Sequence, residues 1–175
     1  VVHGIVQSYG GTVQALSEPG TGTAFDVYIP AIKRAAFFKK RDDTPMPTGS
    51  EHILFVDDEP ALVELGRRIL EMFGYRVTPC HGSLEALEIF NSSPHDFDLV
   101  ISDMTMPKMT GDNLALKLLS TRPDLPIILC TGFSKKISKQ KAAEIDVKKI
   151  VAKPFVAKKM AGVVRAVLDE AVRKK

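Results

Sequence analysis

Phe97-Asp98-Leu99-Val100-Ile101-Ser102-Asp103-Met104-Thr105-Met106-Pro107-Lys108-Met109-Thr110-Gly111 is an apolar run that delivers a carboxylate to its C-terminal end. Leu99-Val100-Ile101 reads as a strand, Pro107 and Gly111 mark a loop, and a helical pattern begins at Asp112. In an open α/β sheet, ligands bind beyond the carboxyl ends of the strands. Asp103 therefore stands at the chemical edge of such a sheet. Taken alone, a strand-terminal Asp is as readily a turn former or a helix cap. The rest of the chain decides between the two readings.

Outward from this stretch, a strand followed by a helix recurs. His52–Val56 is an apolar strand closed by Asp57-Asp58. It is followed by a helix over Glu59–Phe73, with Leu62, Leu65, Ile69 and Met72/Phe73 inward, Pro60 in its first turn and Gly74 as its stop. Tyr75–Cys80 reads as a strand, and Ser83 as the cap of a helix that runs to Phe90. Phe97–Ser102 is the third strand, and the helix over Asp112–Ser120 turns Leu114, Leu118 and Leu119 inward. Pro126–Cys130 is a strand ending in Thr131-Gly132, followed by a short polar helix over Ser138–Ile145. Lys149–Ala152 is a strand ending in Lys153-Pro154, before a last helix over Val156–Val172 with Met160, Val163, Val164, Val167 and Leu168 inward. Such alternation implies an α/β fold with a parallel sheet and right-handed crossovers. Five strands suit the flavodoxin-like order 2-1-3-4-5, with the site where the order reverses. The polar residues at the strand tips then share one edge.

Composition narrows the function classes. The chain is 45% hydrophobic and 26% charged, with a formal net charge of +3, as for a globular protein. Its basic residues are scattered, apart from a cluster at Lys33–Arg41 and the tail Arg173–Lys175. No zinc-ligand spacing or spare helix-turn-helix segment accompanies them, which argues against a nucleic-acid partner. Cys80 and Cys130 each end an apolar run and read as reduced core residues. Nothing approaches the roughly 18 apolar residues of a membrane span. The opening Val1-Val2-His3-Gly4, apolar and without Met, reads as cut from a longer protein, so a cytoplasmic fragment of a membrane-anchored parent is compatible with it.

Residues 1–30 form a separate piece. Residues 1 to about 10 read as a helix with Val2, Ile5, Val6 and Tyr9 on one face, stopped by Gly10-Gly11. Thr12–Leu16 and Thr23–Ile29 alternate like strands around the long loop Ser17–Gly22. A lone hairpin is marginal in water, so a contact with a second surface, such as a homodimer through residues 1–30, is expected. Residues 31–50 are rich in Pro, Gly and charge and read as a linker, in which Phe37 and Phe38 are unexpected.

Three carboxylates, Asp57, Asp58 and Asp103, at adjacent strand ends repel one another unless a cation resolves the conflict. An all-oxygen site suits Mg2+, or Mn2+. A carboxylate can be a phosphoryl acceptor. A lysine ammonium (Lys153) and a hydroxyl (Thr131) can clamp and sense the oxygens of the transferred group.

These motifs resemble a response-regulator receiver domain of CheY-like type over residues 51–175: Val56-Asp57-Asp58, Asp103 through Gly111, Cys130-Thr131-Gly132 and Lys153-Pro154-Phe155. They stand in the family's order and spacing, with 45 residues from Asp58 to Asp103, 28 more to Thr131 and 22 more to Lys153. The resemblance implies that Asp103 is the phosphoacceptor, with Lys153 and Thr131 assisting. It also implies that Asp57, Asp58, Asp103 and the backbone carbonyl of Thr105 serve Mg2+, and that the Lys153-Pro154 bond is cis. The donor it implies is a phosphohistidine of a histidine kinase or phosphotransfer domain.

His3–Gly11 and Ser17–Phe25 resemble the last segment of a histidine-kinase ATPase domain, without its Gly-rich lid or Mg-ATP boxes, so no ATP binding is expected of them. Together the two parts resemble one end of a hybrid sensor histidine kinase. Where many receivers carry an aromatic three residues before the Lys, this chain has Ile150, so signalling must use another element. Phe133 lies two residues beyond Thr131, where it is expected to crowd the water that hydrolyses an aspartyl phosphate. An unchanged hydrolysis rate in Phe133→Ala would remove that idea. Two other readings compete. One is a silent pseudo-receiver acting as an interaction module. The other is a haloacid-dehalogenase-like phosphatase, against which Thr105 stands where a second Asp is needed.

Overall fold

The computed structural model describes residues 2–31, 46–132, 147–154 and 156–173. The expected helix over Ser138–Ile145 and the positions of Phe37, Phe38, Phe133 and Phe155 lie outside these residues. The chain divides into two units, Val1–Asp43 and Thr44–Lys175.

In the first unit, α1 (Val2–Ser8) is followed by an antiparallel hairpin of β1 (Thr12–Glu18) and β2 (Gly22–Tyr28). The expected helix face is narrower than its periodicity implied: Val6 is buried and Ile5 half-buried, while Val2 and Tyr9 are exposed. The hairpin also differs from the expected long loop. Glu18 pairs with Gly22, so Ser17 and Glu18 belong to the strand and only Pro19, Gly20 and Thr21 turn. Positive φ at Gly20 (85°) and Gly22 (112°) lets so short a loop close, and Ser17 and Thr23 join their hydroxyls across it at 2.9 Å.

The second unit carries a parallel sheet of β3 (His52–Val56), β4 (Arg76–Cys80), β5 (Leu99–Asp103), β6 (Ile127–Thr131) and β7 (Lys149–Ala152), in the order β4-β3-β5-β6-β7. Numbered within the unit, that is 2-1-3-4-5, the expected flavodoxin-like order. Alternate side chains along each strand enter two cores. Ile53, Phe55 and Ile101 pack with α2 (Pro60–Met72) and α5 (Ala157–Val172). Leu54, Val56, Val100 and Leu129 pack with α3 (Ser83–Ser92) and α4 (Gly111–Thr121). Burial on both faces is why these strands read as unbroken apolar runs.

Helix α2 turns Ile69 and Phe73 inward as expected and half-buries Leu62, but the rest of its expected stripe differs. Val63, Gly66, Ile69 and Leu70 are buried, whereas Leu65 is 45% exposed and Met72 68% exposed. The cause is Gly66. A β-carbon there would collide with the Phe55 ring, so the helix approaches the sheet closely at this residue. Likewise Gly82, not Ser83, is the N-cap of α3. Ser83 is its first helical residue, with a buried hydroxyl that has no hydrogen-bond partner among the described residues.

The approach to β3 is also packed. The Gly49 N–H donates to the Phe73 carbonyl at 3.0 Å, and Glu51 pairs with Arg165 of α5 at 2.8 Å.

Candidate functional site

The strand tips converge at the carboxyl edge of the second unit's sheet. Asp57 follows β3 directly and is held there by its N–H, which donates to the Cys80 carbonyl at 3.2 Å. It is only 1% exposed. One of its carboxylate oxygens, Oδ1, accepts the Glu59 N–H at 3.1 Å, at the start of α2. Asp103 is the last residue of β5 and 6% exposed. Its Oδ2 accepts the Thr105 N–H at 2.8 Å, which folds the following loop back over the carboxylate.

Lys153 joins these two acids. Its Nζ lies 2.6 Å from Asp57 Oδ2 and 2.6 Å from Asp103 Oδ1. Its backbone is fixed as well: the Lys153 N–H donates to the Thr131 carbonyl at 2.8 Å, and the following peptide bond to Pro154 is cis, as expected. Burial pushes the lysine pKa down, but hydrogen bonds and attraction from Asp103 and Asp57 outweigh it, so the net shift is upward. Lys153 is therefore an ammonium throughout the neutral range.

The other expected residues stand around this trio. Thr131 ends β6, half-buried, and its hydroxyl donates to the Gly132 carbonyl at 2.9 Å. Asp58 and Thr105 are exposed at the rim. Among the described residues, no three His, Cys, Asp or Glu side chains converge as a metal-ligating group. Asp57 and Asp103 are instead bridged by the lysine. The donor chemistry nonetheless fits a hard cation. The oxygens are carboxylate oxygens, and burial pushes the nearby Cys130 thiol up to about 12, so it is neutral and a poor ligand.

Several supporting residues were not singled out from sequence. The Met104 N–H donates to the Cys130 carbonyl at 2.8 Å, and the Ser102 hydroxyl to the Asp103 carbonyl at 2.9 Å, together fixing the peptide between Asp103 and Met104. Gly111 had the look of a turn residue, but a β-carbon there would strike the Asp103 carbonyl oxygen. It is this close approach that lets the end of the loop lie against the Asp103 backbone. Lys108, in the same loop, adopts φ 67°, which is uncommon for a residue with a side chain.

A family model described as response regulator receiver domain matches residues 53–165. Across 97% of its length the chain is 31% identical to the sensor kinase CckA of Brucella abortus (strain 2308), of which it spans 19%. Across 94% it is 27% identical to the aerobic respiration control sensor protein ArcB of Escherichia coli (strain K12), of which it spans 21%. It thus spans about a fifth of the length of these relatives. Among solved structures, it matches the response regulator protein TrrA from Thermotoga maritima, in complex with Mg(2+)-BeF. That match has 32% identity and a TM-score of 0.61, and covers 67% of this chain and 98% of the other. A response regulator receiver domain protein from Clostridium thermocellum matches with 26% identity and a TM-score of 0.64, over 71% of this chain and 95% of the other.

Proposed function

This chain belongs to the response regulator receiver domain family, and on that premise we propose that Asp103 accepts a phosphoryl group from a phosphohistidine of a histidine kinase or phosphotransfer domain. The carrying observation is the single Lys153 ammonium, 2.6 Å from both Asp57 and Asp103 at the carboxyl edge of the sheet. An Asp103 carboxylate oxygen attacks phosphorus. The O–P bond forms, the N–P bond breaks, and the histidine nitrogen leaves with its electron pair. Transfer of this kind needs positioning and charge neutralisation more than covalent assistance.

Each side chain has a part that its contacts support. The Thr105 N–H orients the acceptor carboxylate. Lys153 moves from the Asp103 carboxylate to the oxygens of the arriving group, keeping Asp57 as its partner. The Thr131 hydroxyl, which now donates to Gly132, turns its hydrogen to a phosphoryl oxygen instead. That exchange gives the switch a local trigger at the end of β6. Asp57, Asp58, Asp103 and the Thr105 carbonyl would hold Mg2+, which when bound neutralises charge on the phosphoryl oxygens. Ile150 is half-buried in β7 against the core of α3 and α4, so an aromatic rotamer change there plays no part.

The test is intact mass after incubation with a small-molecule phosphodonor, with and without Mg2+, on the chain and on Asp103→Asn. One added phosphoryl group is expected, lost on chelating the metal and lost in the variant. A folded protein that gains nothing under any of these conditions would sink the proposal and leave the silent interaction module as the better account.

A further inference from the structure

Lys108 holds a backbone conformation that lysine adopts at a cost. Its φ of 67° lies in the left-handed region, where glycine would be at ease. The loop leaves it no alternative: the Met109 N–H donates to the Pro107 carbonyl at 2.7 Å and the Gly111 N–H to the Met104 carbonyl at 3.0 Å, which pins the chain on either side. The lysine side chain is exposed and contributes nothing to the core. It stands on the rim of an open groove of about 670 Å³ between this loop and the outer face of α4. Met106 and Met109 from the loop and Leu116 from α4, which is 48% exposed, give the groove an apolar floor. Lys117 is its second cation, and among the described residues no Asp or Glu lines it.

We infer that this groove docks an acidic, amphipathic segment of a partner protein, with its apolar residues on Met106, Met109 and Leu116 and its carboxylates against Lys108 and Lys117. Charge complementarity selects the occupant, since both charged groups of the lining are positive. Methionine suits such a floor, because its unbranched thioether chain repacks against partners of different shape. The strain at Lys108 then has a use. Sparsely populated backbone conformations gather at binding sites, and here the loop presents an ammonium where a glycine would be the more stable choice. A nucleic-acid backbone fits less well, because it would meet the two lysines and leave the apolar floor uncovered. The groove contains none of the side chains assigned to phosphoryl transfer, and the inference does not depend on that reading.

The test uses the full chain and a fluorescein-labelled helical peptide with a Leu stripe flanked by Glu, read by anisotropy. A Gln-for-Glu peptide and a single-stranded DNA of similar length serve as controls. Binding of the Glu peptide is expected to weaken about tenfold in Lys108→Glu/Lys117→Glu. It should weaken comparably in Leu116→Gln, which removes part of the floor without changing the charge. Lys108→Gly separates backbone from side chain: it should raise the urea midpoint by relieving the strain, yet weaken the peptide by removing the ammonium. Circular dichroism would confirm that the three variants are folded. No binding, equal binding of the Gln peptide, tighter binding of the DNA, or unchanged affinity in any of the folded variants would each overturn the inference.

Discussion

Lys153→Met is expected to destabilise the second unit by about 3 kcal/mol or more at neutral pH, the usual scale for removing one partner of a buried ion pair. The wild-type ammonium lies 2.6 Å from each of two buried carboxylates. Methionine keeps most of the stem volume but leaves Asp57 and Asp103 facing each other, with the Glu59 and Thr105 N–H groups as their hydrogen-bond donors among the described residues. The measurement is urea unfolding of the variant and the wild type at one pH. Adding Asp57→Asn to Lys153→Met should recover part of the loss, because it removes one of the two opposed charges. A single variant within about 0.5 kcal/mol of wild type would show that the contact is no more than a surface pair.

The pH dependence of this contact has a definite sign. The folded pKa of Lys153 lies above the ordinary lysine value of 10.5. Its stabilisation is therefore fully present below that value and is lost as pH rises through the folded pKa. Across the neutral range the wild type should show no change from this group, and its deprotonation should narrow the gap between wild type and Lys153→Met under strongly alkaline conditions.

The strands were legible because burial on both faces leaves an unmistakable run, as in Ile53–Val56 and Leu99–Ile101. The strand-tip residues were legible for a related reason: once the parallel order is set, Asp57, Asp103, Thr131 and Lys153 must share an edge. That one ammonium bridges Asp57 and Asp103 while Asp58 is exposed depends on side-chain direction, which no spacing rule contains. The same limit explains the phase of α2. Leu62, Leu65, Ile69 and Met72/Phe73 make a credible apolar stripe, and Ile69 and Phe73 are buried, but the ring of Phe55 lies against Gly66 of the facing helix and Leu65 and Met72 stay exposed. Ser83 was misplaced by a similar competition. It is a favoured cap by type, but Gly82 at φ 149° had already turned the chain into the helix. Gly111 was visible as a loop residue, yet its function depends on a carbonyl eight residues earlier.

Gly66→Ala and Gly162→Ala should move stability in opposite directions, although each replaces a mid-helix glycine with the best helix former. In both, alanine contributes up to about 1 kcal/mol by restricting the unfolded chain and favouring the helix. At Gly162 nothing opposes that gain, because the space around the new β-carbon is open. A stabilisation of about 0.5–1 kcal/mol is expected. At Gly66 the methyl group meets the Phe55 ring, and that ring is buried in the core with α2 and α5 against the sheet. To make room, the ring must leave its rotamer or α2 must lift from the sheet. Overpacking of this kind typically costs 1–3 kcal/mol, so the net effect should be destabilising, and Gly66→Val, with its branched side chain, should cost more still. Restoring space with Phe55→Leu in the Gly66→Ala background should return part of the loss, since the two residues share one volume. Chemical denaturation of the four variants decides the matter. If Gly66→Ala proved as stable as Gly162→Ala, the phase of α2 would have some cause other than the ring beneath it.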